Sequence, residues 1–213
     1  MKKVGILGSG SVGQALAKGF IGDGYEVMVG SRDGHRAAAV DVALDMDVAT
    51  GTFREVAAWG ELVILAVKGS AAEGLAGELA GELSGKTLID VTNPVSDAAP
   101  EQGVVAFFTS YDRSLAELVQ AAAPEAKVVK AWNSVGHLHM IDPEFGVRPT
   151  MPICGNNERA RHEVARIVEG FGWDVEDMGA LVAARAIEPL AMLWCIPGFL
   201  RNEWDHAFKI LKR

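Results

Sequence analysis

Val4-Gly5-Ile6-Leu7-Gly8-Ser9-Gly10-Ser11-Val12-Gly13 sets the fold of this 213-residue chain. Lys3 to Leu7 reads as an apolar strand. Gly8, Gly10 and Gly13 then follow in the order G-x-G-x-x-G, the turn that cradles a dinucleotide pyrophosphate. Gly8 permits the tight turn, Gly10 lets backbone approach phosphate, and Gly13 lets the following helix pack closely on the strand. Val12, Ala15, Leu16, Gly19 and Phe20 recur with helical spacing. Gly22 and Gly24 end that helix, and Tyr25 to Gly30 resumes a strand. Strand, glycine turn, helix and second strand form one βαβ unit. The amides that open its helix lack intrahelical partners and are expected to face the phosphates.

The strand and helix alternation continues outward from this unit. A helix is expected over His35 to Asp45 and a short strand over Val48 to Thr50. Thr52-x-x-Glu55, Ser70-x-x-Glu73 and Ser114-x-x-Glu117 have the spacing of capping boxes. Glu61 to Val67 reads as the clearest buried strand, a continuous apolar run after Glu61, as a parallel strand covered on both faces requires. Lys86 to Val91 and Lys127 to Trp132 are the next strands, with a short extended piece near Val104 to Phe107. Further on come a strand at Met151 to Cys154, a helix marked by Val164, Ile167, Val168 and Phe171, and a last strand from Trp173 to Glu176. Leu200, Trp204, Ala207, Phe208 and Leu211 suggest a terminal helix. The fold class is α/β, a Rossmann-type doubly wound and mostly parallel sheet with a small helical C-terminal part. Residues 1–136 form the nucleotide-binding domain. Residues 137–213 are expected to form an extension that completes the sheet and one side of a ligand pocket, the two making one compact unit.

Composition narrows the function. A formal charge of −8 argues against general affinity for nucleic acid or anionic membranes. No stretch reaches the roughly 18 unbroken apolar residues of a membrane span. Two cysteines outside any C-x-x-C pair suit a reducing compartment, so the cytoplasm is expected. His137 and His139 alone make a poor metal pair, and no metal is expected.

The end of the second strand selects the nucleotide. An acidic residue there would accept from ribose hydroxyls and repel a 2′-phosphate. This chain has Ser31-Arg32, with Arg36 one turn further on. Arginine meets phosphate with parallel charge-assisted bonds, which favours NADP over NAD. Asp33 is the dissenting neighbour. The strand ends at Ala66-Val67, Asn93 and Ala131-Trp132-Asn133 are expected to wall the nicotinamide, because ligands of such sheets lie beyond the carboxyl ends. Asn93 and Asn133 would orient a carboxamide or a substrate oxygen, or serve their own turns. No acid–base pair or nucleophile stands out, so the catalytic residues are unassigned. That absence suits hydride transfer between two planar rings.

These pieces resemble the NADPH-dependent reductases of the 8-hydroxy-5-deazaflavin coenzyme. The likeness runs through Gly8–Gly13, Val29-Gly30-Ser31-Arg32, Asn93-Pro94-Val95-Ser96, Ala106 to Glu117, Pro152-Ile153-Cys154-Gly155 and Asp177-Met178-Gly179-x-Leu181-x-x-Ala184-Arg185-x-Ile187-Glu188. The last two blocks, and Lys130-Ala131-Trp132-Asn133, also resemble the cytoplasmic oxidoreductase module of six-transmembrane metalloreductases. The resemblance implies a dimer of Rossmann-type subunits. NADP(H) would lie on Ser9 to Val12, Ser31, Arg32, Arg36, Val67, Asn93 and Ala131, and a deazaflavin, FMN or FAD would stack on the nicotinamide. Typical deazaflavin reductases carry histidine where Asn133 stands, and the metalloreductase module uses flavin. Trp194, Phe199 and Trp204 would close the acceptor pocket or a dimer interface. Two other readings stay open: a dehydrogenase of a small hydroxy or imino acid, and a non-catalytic NADP-binding sensor.

Overall fold

Strand β1 (Lys3–Leu7) lies near the middle of an eight-stranded sheet of order β3-β2-β1-β4-β5-β6-β7-β8. The computed structural model describes residues 2–34 and 48–213. The helix expected at His35 to Asp45, and Arg36 with it, lies outside the described residues. β2 (Glu26–Ser31) and β4 (Leu62–Leu65) flank β1 in parallel. β3 (Ala49–Thr52) continues one edge, and β5 (Thr87–Asp90) and β6 (Lys127–Lys130) continue the other, all parallel. The chain reverses its direction of travel between β3 and β4, so the crevice beside β1 is the topological switch point.

β7 (Thr150–Gly155) joins β6 antiparallel through Val129↔Gly155 and Lys130↔Cys154. β8 (Asp174–Asp177) then pairs with β7 in parallel. The sheet is thus mostly parallel, with the β6–β7 pairing its one antiparallel ladder among the described residues.

Alternation within β4 explains its unbroken apolar run. Leu62 and Ile64 enter one core with β1 residues Val4 and Ile6, while Val63 and Leu65 enter the other with Leu7. Helices α1 (Ser11–Gly22) and α6 (Glu158–Gly170) contribute to the first core. Helices α2 (Phe53–Trp59), α3 (Gly69–Glu78), α4 (Ala80–Leu83) and α5 (Leu115–Ala122) contribute to the second. The buried face of α1 is Gly13, Leu16, Ala17, Gly19 and Phe20. It is rotated slightly from the expected stripe, and Val12 and Ala15 are left half-buried at its edge.

Two of the three expected capping boxes form. Thr52 with Glu55 opens α2, and Ser114 with Glu117 opens α5. Ser70 with Glu73 does not, because α3 already begins at Gly69 with Lys68 as its cap. Gly69 sits so close to the loop after β5 that a Cβ there would lie 1.9 Å from the Asn93 carbonyl oxygen. The helix thus starts one residue early, and Ser70 falls inside its first turn.

The C-terminal segment corrects a second expectation. After α7 (Ala184–Ile187), helix α8 runs only from Pro189 to Arg201. Asn202 takes a left-handed conformation, φ 55°, and turns the chain back. Residues 203–213 are not helical. The Trp204 ring lies over Gly198, where a Cβ would meet it at 2.2 Å. Trp194 Nε1 donates to the His206 carbonyl at 2.9 Å. The aromatics of the apparent stripe therefore fold back onto α8 instead of continuing it. Trp194 and Trp204 pack on each other with ring centroids 5.5 Å apart.

Candidate functional site

The turn between β1 and α1 is built from backbone. Gly8 has φ 137°, and a Cβ there would lie 2.2 Å from the Ala66 carbonyl oxygen. A Cβ on Gly13 would lie 2.0 Å from the Gly8 carbonyl oxygen, whereas one on Gly10 would meet nothing within 4 Å. The first and third glycines are thus demanded by the fold. The middle one, exposed at the helix cap, faces open space. Gly10 supplies no side-chain acceptor to the first amides of α1. Ser9 is pinned through its carbonyl by Gln14 Nε2 at 3.0 Å. Open space at the mouth of a helix with free amides is the shape a pyrophosphate needs.

At the end of β2, Ser31 is buried and its Oγ donates to Asp33 Oδ1 at 3.3 Å. Asp33 therefore turns back toward the strand end. Arg32 is exposed and forms no ion pair among the described residues. Ala66 closes β4 with its amide on the Leu7 carbonyl at 2.9 Å, and Val67 follows half-buried. Lys68 pairs with Asp97. His139 bonds Asp205 at 2.9 Å.

The ends of β5 and β6 are tied together. Asn93 Nδ2 donates to the Asn133 carbonyl at 2.7 Å, and Asn133 Nδ2 donates to Asn93 Oδ1 at 3.2 Å and to the Ile187 carbonyl at 3.0 Å. Asn133 is thus a buried brace to the C-terminal helices, while Asn93 stays half-open. Ala131 is fully buried in the sheet core, which leaves only its backbone for a ligand.

Beneath these loops lies a charged cluster with no signature in local sequence. Lys130 Nζ donates to Asp90 Oδ2 at 2.9 Å and lies 3.0 Å from Glu188 Oε1. It also donates to the Thr92 carbonyl. Asp90 Oδ1 accepts from the Thr92 amide at 2.9 Å and from its hydroxyl at 2.6 Å. Glu188 accepts from the amides of Leu115 and Ala116, at 2.9 and 3.0 Å, at the start of α5. Burial pulls the Lys130 pKa down, but the two carboxylates more than compensate and hold it above the usual lysine value. Charged residues at the ends of two otherwise apolar strands, and a glutamate inside an apolar run, were the only hints in the sequence.

Helix α5 carries a second ion pair. Arg185 Nε and Nη2 meet the two oxygens of Glu117 at 2.9 and 2.7 Å. This guanidinium, with the Ser114 cap, lowers the Glu117 pKa from 4.5 to about 2. The resulting stabilisation is full above about pH 4.5 and fades as pH falls toward 2. The melting-temperature gap between wild type and Arg185→Met should therefore narrow across that window. A gap that stays constant down to pH 2 would contradict the assignment.

Two hollows adjoin these elements. An open groove of about 640 Å³ starts at Ser11 and Gln14 and runs along α1 past Lys18 to His137, Leu138 and Phe171. A smaller pocket of about 270 Å³ is lined by Tyr111, Ser114, Arg185, Glu188 and Met192, among others. Among the described residues no cluster of three or more histidine, cysteine or acidic side chains could hold a metal ion. Burial pushes the Cys154 thiol up to about 12, so it is no thiolate nucleophile at neutral pH.

Residues 3–94 match the family model described as NADP oxidoreductase, coenzyme F420-dependent. A solved structure from Arthrobacter sp. FB24, assigned provisionally as an F420-dependent NADP-reductase, is 31% identical, covers 100% of both chains and superposes with a TM-score of 0.89. The F420-dependent NADP reductase of Methanocaldococcus jannaschii is 28% identical over 90% of each chain. Metalloreductase STEAP3 of Rattus norvegicus is 35% identical over 93% of this chain but only 39% of its own length. The chain thus spans about two-fifths of the metalloreductases it matches.

Proposed function

Because the chain belongs to the coenzyme F420-dependent NADP oxidoreductase family, we propose that it transfers hydride between NADP(H) and a deazaflavin or flavin coenzyme. The observation that carries this reading is the open cradle at Gly10, framed by two glycines that the fold itself requires. Gly8, Ser9, Gly10, Ser11, Val12 and Gly13 hold the pyrophosphate through backbone amides. Ser31 and Arg32 take the 2′-phosphate, with Arg36 as a further cation. Ala66, Val67, Asn93, Asn133 and the Ala131 backbone wall the nicotinamide. When bound, NADP(H) supplies the hydride. The chain's residues hold the two rings face to face and keep water from between them.

The test is loss of NADPH absorbance with deazaflavin, FMN, FAD or small oxo and imino acids offered separately. Turnover with deazaflavin or flavin is expected. Reduction of only an oxo or imino acid would overturn the acceptor assignment. The identity to metalloreductase STEAP3 favours a second reading, in which the electrons pass on from the acceptor to metal ions.

Arg32→Ala should raise the Michaelis constant for NADPH by at least about tenfold, since a charged hydrogen bond contributes ~1.5–3 kcal/mol. An unchanged constant would remove the 2′-phosphate from Arg32.

The proposal includes a homodimer, for which α8 offers the exposed side chains Leu193, Phe199 and Leu200. It also includes a cytoplasmic location, supported by two unpaired cysteines. The stretch Leu181–Arg201 has the length and apolarity of a membrane span. Its Glu188, however, is committed to the buried cluster with Lys130, which favours a packed helix over a spanning one.

A further inference from the structure

The Asp90–Lys130–Glu188 cluster holds two carboxylates against one ammonium group, all essentially shielded from water. Each described contact to the carboxyl oxygens comes from a donor: Lys130, Thr92, or the amides of Leu115 and Ala116. Neither carboxyl therefore needs a proton to satisfy its partners, and the cluster carries a formal surplus of one negative charge. The first amides of α5 spread part of the Glu188 charge but cannot cancel it. Cys154, the neighbouring thiol, stays neutral because burial holds it near 12.

The position of this surplus matters. Asp90 ends β5 three residues before Asn93, and Lys130 ends β6 directly before Ala131. These are the strand ends assigned to the nicotinamide above, and the inference rests on that assignment. Loss of a hydride, one proton with two electrons, converts a neutral dihydronicotinamide into a cationic ring. A fixed negative charge in a medium of low polarity favours the cation over the neutral ring. We propose that the buried Asp90–Lys130–Glu188 cluster sets the preference of this site for oxidised over reduced nucleotide, and so promotes hydride departure from NADPH. Glu188 acts through the field, without touching the nucleotide.

The discriminating measurement is the ratio of the dissociation constants for NADP+ and NADPH, obtained by titration without any acceptor. Glu188→Gln removes the surplus charge at nearly constant volume and turns one acceptor toward a donor, a loss of stability that the ratio does not register. It should raise the ratio by about threefold to tenfold, the scale of one unit charge at an effective dielectric of about 20 with partial compensation. Glu188→Asp keeps the charge and should keep the wild-type ratio. A ratio does not depend on the fraction of protein that is folded, so lost stability does not mask the result. Asp90→Asn supplies a second neutralising variant with the same expected direction. An unchanged ratio in Glu188→Gln and Asp90→Asn, or an equal shift in Glu188→Asp, would overturn the inference. Wild-type protein that binds neither nucleotide would instead overturn the NADP assignment, and this inference with it.

Discussion

Lys130→Met should lower stability by about 3–5 kcal/mol, the cost of leaving buried charges without their partner. For a chain of this length that corresponds to a fall in melting temperature of roughly 6–20 °C. The reason is local and severe. Asp90 and Glu188 would face each other across an apolar methionine, with both carboxylates still buried and still held by Thr92, Leu115 and Ala116. The intact cluster itself contributes far less than this figure, because removing three charges from water costs nearly as much as their attraction returns. Replacing all three residues with apolar ones of similar volume should therefore recover much of the loss. Thermal melts of the single and triple variants check both statements. A single variant that melts within a degree or two of wild type would show that water reaches the cluster.

The second large effect separates two glycines of one motif by the different tasks the motif gives them. In Gly13→Ala the new methyl would sit 2.0 Å from the Gly8 carbonyl oxygen, which is backbone and has nowhere to go. The β1–α1 turn must open, and overpacking of this kind costs about 1–3 kcal/mol or more. Stability and nucleotide affinity should fall together. In Gly10→Ala the methyl meets no protein atom within 4 Å. That variant should fold nearly as wild type does, yet its methyl occupies the space through which backbone approaches phosphate. NADPH affinity should drop by about tenfold or more while the melting temperature of the free protein barely moves. Parallel melts and NADPH titrations make the comparison. A Gly10→Ala protein with wild-type affinity would place the pyrophosphate elsewhere.

What the sequence revealed about this molecule was local. The glycine turn, the second strand and the β4 run are each specified by neighbours within a dozen residues, so their reading survives in the structure. Two capping boxes survive for the same reason, and the third fails because Gly69 has a distant partner at Asn93. Hydrophobic spacing over Leu200–Leu211 resembles a helix. The segment is nevertheless turned at Asn202 and held by contacts of Trp194 with His206 and of Thr150 with Phe208. Periodicity also says which face a strand buries but not which way it runs, so the reversed direction of β7 was not legible. The site divides along the same line. Gly8–Gly13 and Ser31-Arg32 are contiguous. The Asn93–Asn133 brace and the Asp90–Lys130–Glu188 cluster join residues that are far apart in the chain and carry no shared spacing.

The join between β6 and β7 has a mechanical consequence. Its ladder has two residue pairs, the shortest among the described strands, whereas the other neighbours share four or five. Backbone pairing alone would make this seam the first place for the sheet to part. One of its two pairs is Lys130↔Cys154, and the Lys130 side chain reaches the helical segment beyond β8 through Glu188. The buried charges thus act as a rivet through the weakest seam. Loss of the Lys130–Glu188 contact should therefore loosen the β6–β7 seam and the C-terminal helices together.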